Sequence, residues 1–273
     1  MPTSSSARMP VMFFGHGSPM NAIDDNRATQ AWTAMGAAAG MPRAIVMISA
    51  HWLTRGTAVT ANQNPRTIHD FGAFPRALFE QRYPAPGDPA LAARVAELLA
   101  PLPVTLDAAW GFDHGTWSVL LKAFPHANIP VIQISMDRTR GARHHYEIGR
   151  ALRPLRDEGV LIAASGNVVH NLSAMDWGSP TTGYDWAQRF HDHALKAIIE
   201  NRPDDVIDYE SAGGDAARSI PSPDHYWPFL YALGARHEDD PVRIESNFLE
   251  YGSLSMLSFI LGETADAPAS LAA

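Results

Sequence analysis

Apolar residues along the chain come in short unbroken runs, not in strict alternation with polar ones. Val11–Phe14, Ala44–Ser49, Val104–Leu106, Val131–Ser135, Val160–Ala164 and Val242–Ser246 each have the length of a strand. A continuous apolar strand reads as buried on both faces, as in a sheet covered by helices. Between these runs the period changes. Pro89–Leu99 opens on a proline and sets Leu91, Val95, Leu98 and Leu99 on one helical face. Tyr184–Glu200 carries Ala187, Phe190, Ala194 and Ile198 at the same spacing. Strands alternating with helices predict an α/β fold: a single domain with a mostly parallel or mixed central sheet flanked by helices. Ser253–Leu261 reads equally well as strand or helix. No repeat or low-complexity linker divides the chain. Residues 1–9 read as a disordered N-terminal tail, 10–262 as one domain, and 263–273 as a C-terminal tail.

Composition then narrows the chemistry. The 273 residues include 12 His and no Cys. Disulfide frameworks, thiolate zinc fingers, iron–sulfur clusters and cysteine nucleophiles are excluded. Any transition metal must be held by His, Asp or Glu, and neutral imidazole suits zinc, iron, copper and nickel. A net charge of −8 argues against a nucleic-acid partner, which needs a basic patch to neutralise phosphates. No apolar run approaches the ~20 residues of a membrane span. The N-terminus lacks the apolar core of a secretory signal, so a cytoplasmic location is expected.

Five histidines stand out by position. His16 lies in Gly15-His16-Gly17-Ser18-Pro19 after the first strand, and His51 in Ser49-Ala50-His51-Trp52 after the second. His114 lies in Gly111-Phe112-Asp113-His114-Gly115 ahead of a helix. His170 follows the Val160–Ala164 strand in Ser165-Gly166-Asn167-Val168-Val169-His170. In open α/β sheets ligands bind outside the carboxyl ends of the strands, where residues distant in sequence converge. His225 lies in Pro221-Ser222-Pro223-Asp224-His225, where two prolines stiffen the approach to a helix beginning near Asp224–Pro228. The other seven read as bystanders. His191 and His193 are two apart on a helix and cannot chelate together. His144 and His145 are polar-flanked, His237 sits in an acidic loop, and His126 follows Phe124-Pro125. His69-Asp70, a His–Asp neighbour in a loop, could line a site, but a surface role is expected. Of the aromatics near the five, Trp52, Trp110, Trp117, Tyr226 and Trp227, most are expected in the core.

Several motifs are absent. There is no H-E-x-x-H, Walker A loop or G-x-S-x-G elbow, and Gly15-His16-Gly17 lacks the third glycine of a dinucleotide fingerprint. Ser18 beside His16 has no base and orienting group that the sequence singles out.

Taken in order, the segments Gly15–Pro19, Ser49–Trp52, Trp110–Trp117, Ser165–Leu172 and Pro221–His225 resemble the 4,5-DOPA extradiol dioxygenase family. This is a branch of the class III, LigB-type aromatic-ring-opening dioxygenases, and the resemblance spans residues 10–262. It implies a mononuclear metal: Fe(II) for oxygenase activity, with Zn(II) often occupying the site in isolated protein. By the resemblance His16, His51 and His225 are the metal ligands. His170 is the acid/base beside the metal and a direct ligand when zinc is bound without substrate. His114 contacts the substrate oxygens. The better-known two-subunit relatives use two His and one Glu, whereas the third position here is His225; the adjacent Asp224 is expected to point elsewhere. Three neutral imidazoles make a good zinc site and a less usual iron site.

The implied reaction takes a catechol such as L-DOPA and O2, opens the ring beside the diol, and puts both oxygen atoms into the product. Monomers and small homo-oligomers both fit the resemblance. Two other classes stay open at this point: a zinc-dependent hydrolase or lytic enzyme on the same scaffold, and a non-catalytic metal- or ligand-binding protein.

Overall fold

In the computed structural model, which describes residues 8–264, successive residues of the first strand face two separate cores. Val11 and Phe13 of β1 (Val11–Gly15) join one apolar cluster, and Met12 and Phe14 the other. The same alternation runs through β2 (Ala44–Thr54), where Val46 and Ile48 oppose Ile45 and Met47. This is why the runs are continuously apolar: each strand is covered on both sides. Phe13 is fully buried between Phe229 and Phe259, ring centroids 5.6 and 5.3 Å away. Such burial contributes roughly 1.5–3 kcal/mol and makes β1 a rigid platform for the loop at its carboxyl end.

The other strands are β3 (Thr57–Thr60), β4 (Val104–Asp107), β5 (Val131–Asp137), β6 (Val160–Gly166), β7 (Val242–Ser246), β8 (Leu249–Glu250), β9 (Leu254–Ser255) and β10 (Ser258–Leu261). Eight form one sheet in the order β4-β3-β5-β2-β6-β1-β10-β7, and β8 with β9 forms a small second one. The central four, β5-β2-β6-β1, are parallel. β10 is antiparallel to both β1 and β7, so the sheet is mixed. Helices Arg27–Ala39 and His114–Ala123 cover one face. Helices Pro89–Leu98, Asp185–Ile199 and Trp227–Ala235 cover the other. The fold is thus a single α/β domain with a mixed central sheet flanked by helices.

Three local readings are refined. β4 and β7 are largely half-exposed or exposed because they lie at the two edges of the sheet. β3 is too short and too rich in threonine to stand out, yet it is buried between β4 and β5. Ser253–Leu261 resolves into strand segments Leu254–Ser255 and Ser258–Leu261. Of the expected tails, residues 1–7 and 265–273 lie outside the described residues. Arg8 and Met9 are engaged: Met9 N donates to Arg156 O at 3.0 Å, and Arg8 Nη1 to Asp239 Oδ1 at 3.0 Å. No helix among the described residues is long and apolar enough to cross a membrane.

Candidate metal centre

Strands β1, β2 and β6 run parallel and end together, and three of the five histidines are delivered there. His16 is the first residue past β1, and its main-chain N donates to Gly166 O at 3.1 Å. His51 lies on β2 where the pairing with β5 shifts register between Ile48 and Leu53. A bulge of this kind re-aims a side chain next to a site. His170 follows β6; its N donates to Ser219 O at 2.9 Å. His225 arrives from the other direction, just before helix Trp227–Ala235, and Asn167 N donates to its carbonyl at 2.8 Å. Gly166 permits this approach, because a Cβ there would run into that carbonyl oxygen. His114 opens its helix, which Asp113 caps.

One ring nitrogen from each of His16, His51 and His225 lies within 4.8 Å of the other two. His16 Nε2 and His51 Nε2 are 3.3 Å apart. The far-side nitrogens are tied: His16 Nδ1 is hydrogen-bonded to Ser165 Oγ at 2.8 Å, and His225 Nδ1 donates to Asp224 Oδ2 at 2.5 Å. Burial first, and then the charge that neighbouring histidines would carry, holds His16 and His51 well below the ordinary histidine value. Both are therefore neutral, with lone pairs to share. Two nitrogens bound to one ion at about 2.1 Å stand roughly 3.0–3.4 Å apart for angles of about 90–110°. The 3.3 Å separation matches, so the residues fit a divalent ion.

A second group, His51, Asp70 and His114, also lies within the reach of one ion. There the carboxylate is already engaged. Asp70 Oδ1 accepts from His114 N at 2.8 Å, and Oδ2 from His114 Nδ1 at 2.9 Å. Burial would raise the Asp70 pKa, but the hydrogen bonds and charge of His114 outweigh it, and the group sits below the ordinary carboxylate value. Asp224 is likewise held down, its bond to His225 outweighing burial. His170 stays outside the three-nitrogen group. Its ring lies on that of His225, centroids 3.5 Å apart, and burial, then His225, lowers its pKa to about 3.

Beneath the centre, the fully buried Asp113 accepts from Ser49 Oγ at 2.6 Å and from Thr116 N at 3.2 Å, and also from Gln133 Nε2. Burial and nearby Asp70 raise its pKa to about 6. The network ties the end of β2 to the start of the His114 helix. Above the centre opens a cavity of about 580 Å³. All five histidines line it, with Phe74, Trp177 and Tyr251 on its walls and Asp24 and Glu250 among its charged groups.

The structure thus gathers all five singled-out histidines around one cavity. Asp224 stays outside the three-nitrogen group, as expected, and holds His225, and Asp70, exposed as expected, also reaches His114 and lies 3.6 Å from His51 Nδ1. His69 does turn away, its Nε2 bonded to Gln81 O at 3.1 Å. None of Trp52, Trp110, Trp117, Tyr226 and Trp227 lines the cavity; Trp52 instead stacks on Trp110 with centroids 5.4 Å apart. The cavity aromatics come from loops that carry no periodic signal. His145, expected to be ordinary from its polar neighbours, is wholly buried.

Fold and site together define an α/β protein with a thiolate-free, three-histidine centre at the carboxyl ends of parallel strands. Residues 10–262 match the family described as the catalytic LigB subunit of aromatic ring-opening dioxygenase. A protein of Escherichia coli K12 named 4,5-DOPA dioxygenase extradiol is 51% identical, over 94% of this chain and 96% of its own length. The Beta vulgaris protein of the same name is 35% identical over 91% of this chain and 95% of its own. The crystal structure of an uncharacterized Escherichia coli K12 protein superposes with a TM-score of 0.80 at 46% identity, covering 93% of this chain and all of that one. The chain belongs to the LigB family of aromatic ring-opening dioxygenases.

Proposed function

We propose that this chain is an extradiol dioxygenase that opens the ring of a catechol such as L-DOPA at a mononuclear non-haem metal, with O2 as co-substrate and both its atoms entering the product. The observation that carries this reading is the convergence of three imidazoles at the floor of an aromatic-walled cavity, with two further histidines beside them. His16, His51 and His225 would hold the ion. When bound, it supplies Lewis acidity toward the catechol hydroxyls and, as iron(II), the redox capacity that dioxygen chemistry requires. His170, kept neutral by burial, presents a lone pair that can take a hydroxyl proton and later return it. His114, anchored through Nδ1 to Asp70, addresses a substrate oxygen with its remaining edge. Phe74, Trp177 and Tyr251 offer faces to an aromatic ring.

The test is anaerobic loading with Fe(II), followed by L-DOPA, caffeate, protocatechuate or catechol with O2. Oxygen uptake and a yellow ring-opened product are expected. No turnover of any catechol with iron confirmed in the protein would sink the reading. The carboxylate-free donor set also suits zinc, which favours a zinc-dependent hydrolase as the second reading. Activity with zinc and no oxygen uptake would select it.

A further inference from the structure

Residues 61–75 join β3 to the short helix Arg76–Phe79, and part of this loop is strapped along the segment that carries His114. Ile68 N donates to Phe112 O at 2.7 Å, Phe112 N to Arg66 O at 2.8 Å, and Trp117 Nε1 to Ile68 O at 2.8 Å. The strap delivers Asp70. Its two oxygens grip His114 at main chain and ring, 2.8 and 2.9 Å away, and the oxygen on the ring lies 3.6 Å from His51 Nδ1. A carboxylate only accepts hydrogen bonds, so the ring proton of the His114 tautomer that fits here is on Nδ1. The lone pair is then on Nε2, on a ring that lines the cavity.

We propose that Asp70 is a positioning residue that fixes His114 as the Nδ1–H tautomer, so that its Nε2 meets the substrate as a hydrogen-bond acceptor. Its consequence for turnover rests on the function proposed above. A catechol has two hydroxyl protons. The bare Nε2 of His114 accepts a hydrogen bond from one of the two hydroxyls, and Asp70 holds the ring in that orientation.

The test is the tautomer itself, read by long-range 1H–15N correlation on 15N-His protein at pH 7.5. Metal-free and zinc-loaded samples are compared, with His114→Gln used to assign the signal. Wild type should show protonated Nδ1 and bare Nε2. Asp70→Asn can keep its carbonyl on the main-chain N–H while its amide N–H faces the ring, so His114 should flip to Nε2–H. In the iron-loaded enzyme Asp70→Asn should lower kcat by about 10–100-fold with iron content retained, and Asp70→Glu should recover part of the loss. A wild-type His114 protonated on Nε2, a tautomer unchanged in Asp70→Asn, or a flipped tautomer with full kcat would each overturn the proposal. If no catechol is opened at all, the proposed function fails, while the NMR result still decides the role of Asp70.

Discussion

The rings of His170 and His225 lie face to face, 3.5 Å between centroids and 3° from parallel. Two imidazoles this close cannot both be charged at low cost, and burial adds to the penalty on His170. The stack places His170 beside the three-nitrogen group and outside it. His170→Ala should therefore keep about one equivalent of metal and lose turnover by roughly 10²–10⁴-fold, the usual worth of a general base. Metal analysis and oxygen uptake on the same sample check this. Loss of the metal would make His170 a ligand instead.

The histidines were legible in the sequence because each follows an apolar run or sits among glycines and prolines, where a sheet presents its ligands. Their partners were not. Ser165 lies 149 residues from His16, and Asp70 lies 44 from His114. Only the parallel pairing of strands and the strapped loop bring these together, and hydrophobic periodicity carries no trace of either. His145 was hidden differently. Its immediate neighbours are polar, but its helical face is shared with Ile148 and Gly149, which are buried. Flanking residues report on other faces of a helix, and spacing reports on its own.

The ligand assignment makes its own demand. His16→Ala, His51→Ala and His225→Ala should each reduce bound metal from about one equivalent to near zero after dialysis. Asp224→Ala should weaken affinity by about 10–100-fold without abolishing binding, since it orients a ligand without being one. Mass-spectrometric metal analysis decides, and iron retained in all three His variants would refute the assignment.

Gly115 bears on the same centre through packing. A Cβ at this position would collide with Ser49 Oγ and lie 2.9 Å from His51 Cδ2. Neither neighbour can yield freely, because Ser49 is bound to Asp113 and His51 belongs to the three-nitrogen group. Gly115→Ala should cost about 1–3 kcal/mol of stability and weaken metal binding at least tenfold. Urea unfolding and metal titration measure the two effects. A variant with native metal affinity would show that His51 has room to move.

His145 predicts a pH dependence of stability. Its ring is fully buried, stacked on Trp227 at 4.2 Å, with Nδ1 bonded to the Tyr231 hydroxyl at 3.2 Å. Burial lowers its pKa from 6.5 to about 3. Between those values the unfolded chain holds a proton here that the folded chain refuses. Stability is thus complete above about pH 6.5 and declines toward about pH 3, by up to ~1.4 kcal/mol per pH unit. His145→Gln should lower stability at neutral pH but flatten the slope between about pH 6 and 4.5 by nearly one proton. Equal slopes in the two proteins would show that His145 titrates normally.

The charge of the cavity predicts which catechols fit it. Asp24 and Glu250 line it, and no Lys or Arg among the described residues does. The nearby Arg27 guanidinium instead lies over the Phe248 ring, 3.4 Å from its centroid. A substrate ammonium would find carboxylates to face, whereas a carboxylate on the substrate side chain would meet two like charges and no lining Lys or Arg among the described residues. Dopamine should therefore exceed 3-(3,4-dihydroxyphenyl)propionate in kcat/KM by roughly tenfold, equivalent to about 1.4 kcal/mol, with uncharged 4-methylcatechol between them. The contrast should shrink in 0.5 M salt to the extent that the carboxylates stay exposed to solvent. Glu250→Gln should narrow the ratio by raising the rate on the propionate more than on dopamine. Matched oxygen-uptake kinetics on the three catechols measure this directly. A preference for the propionate would mean that the side chain leaves the cavity away from Asp24 and Glu250, toward the exposed ring of Trp177.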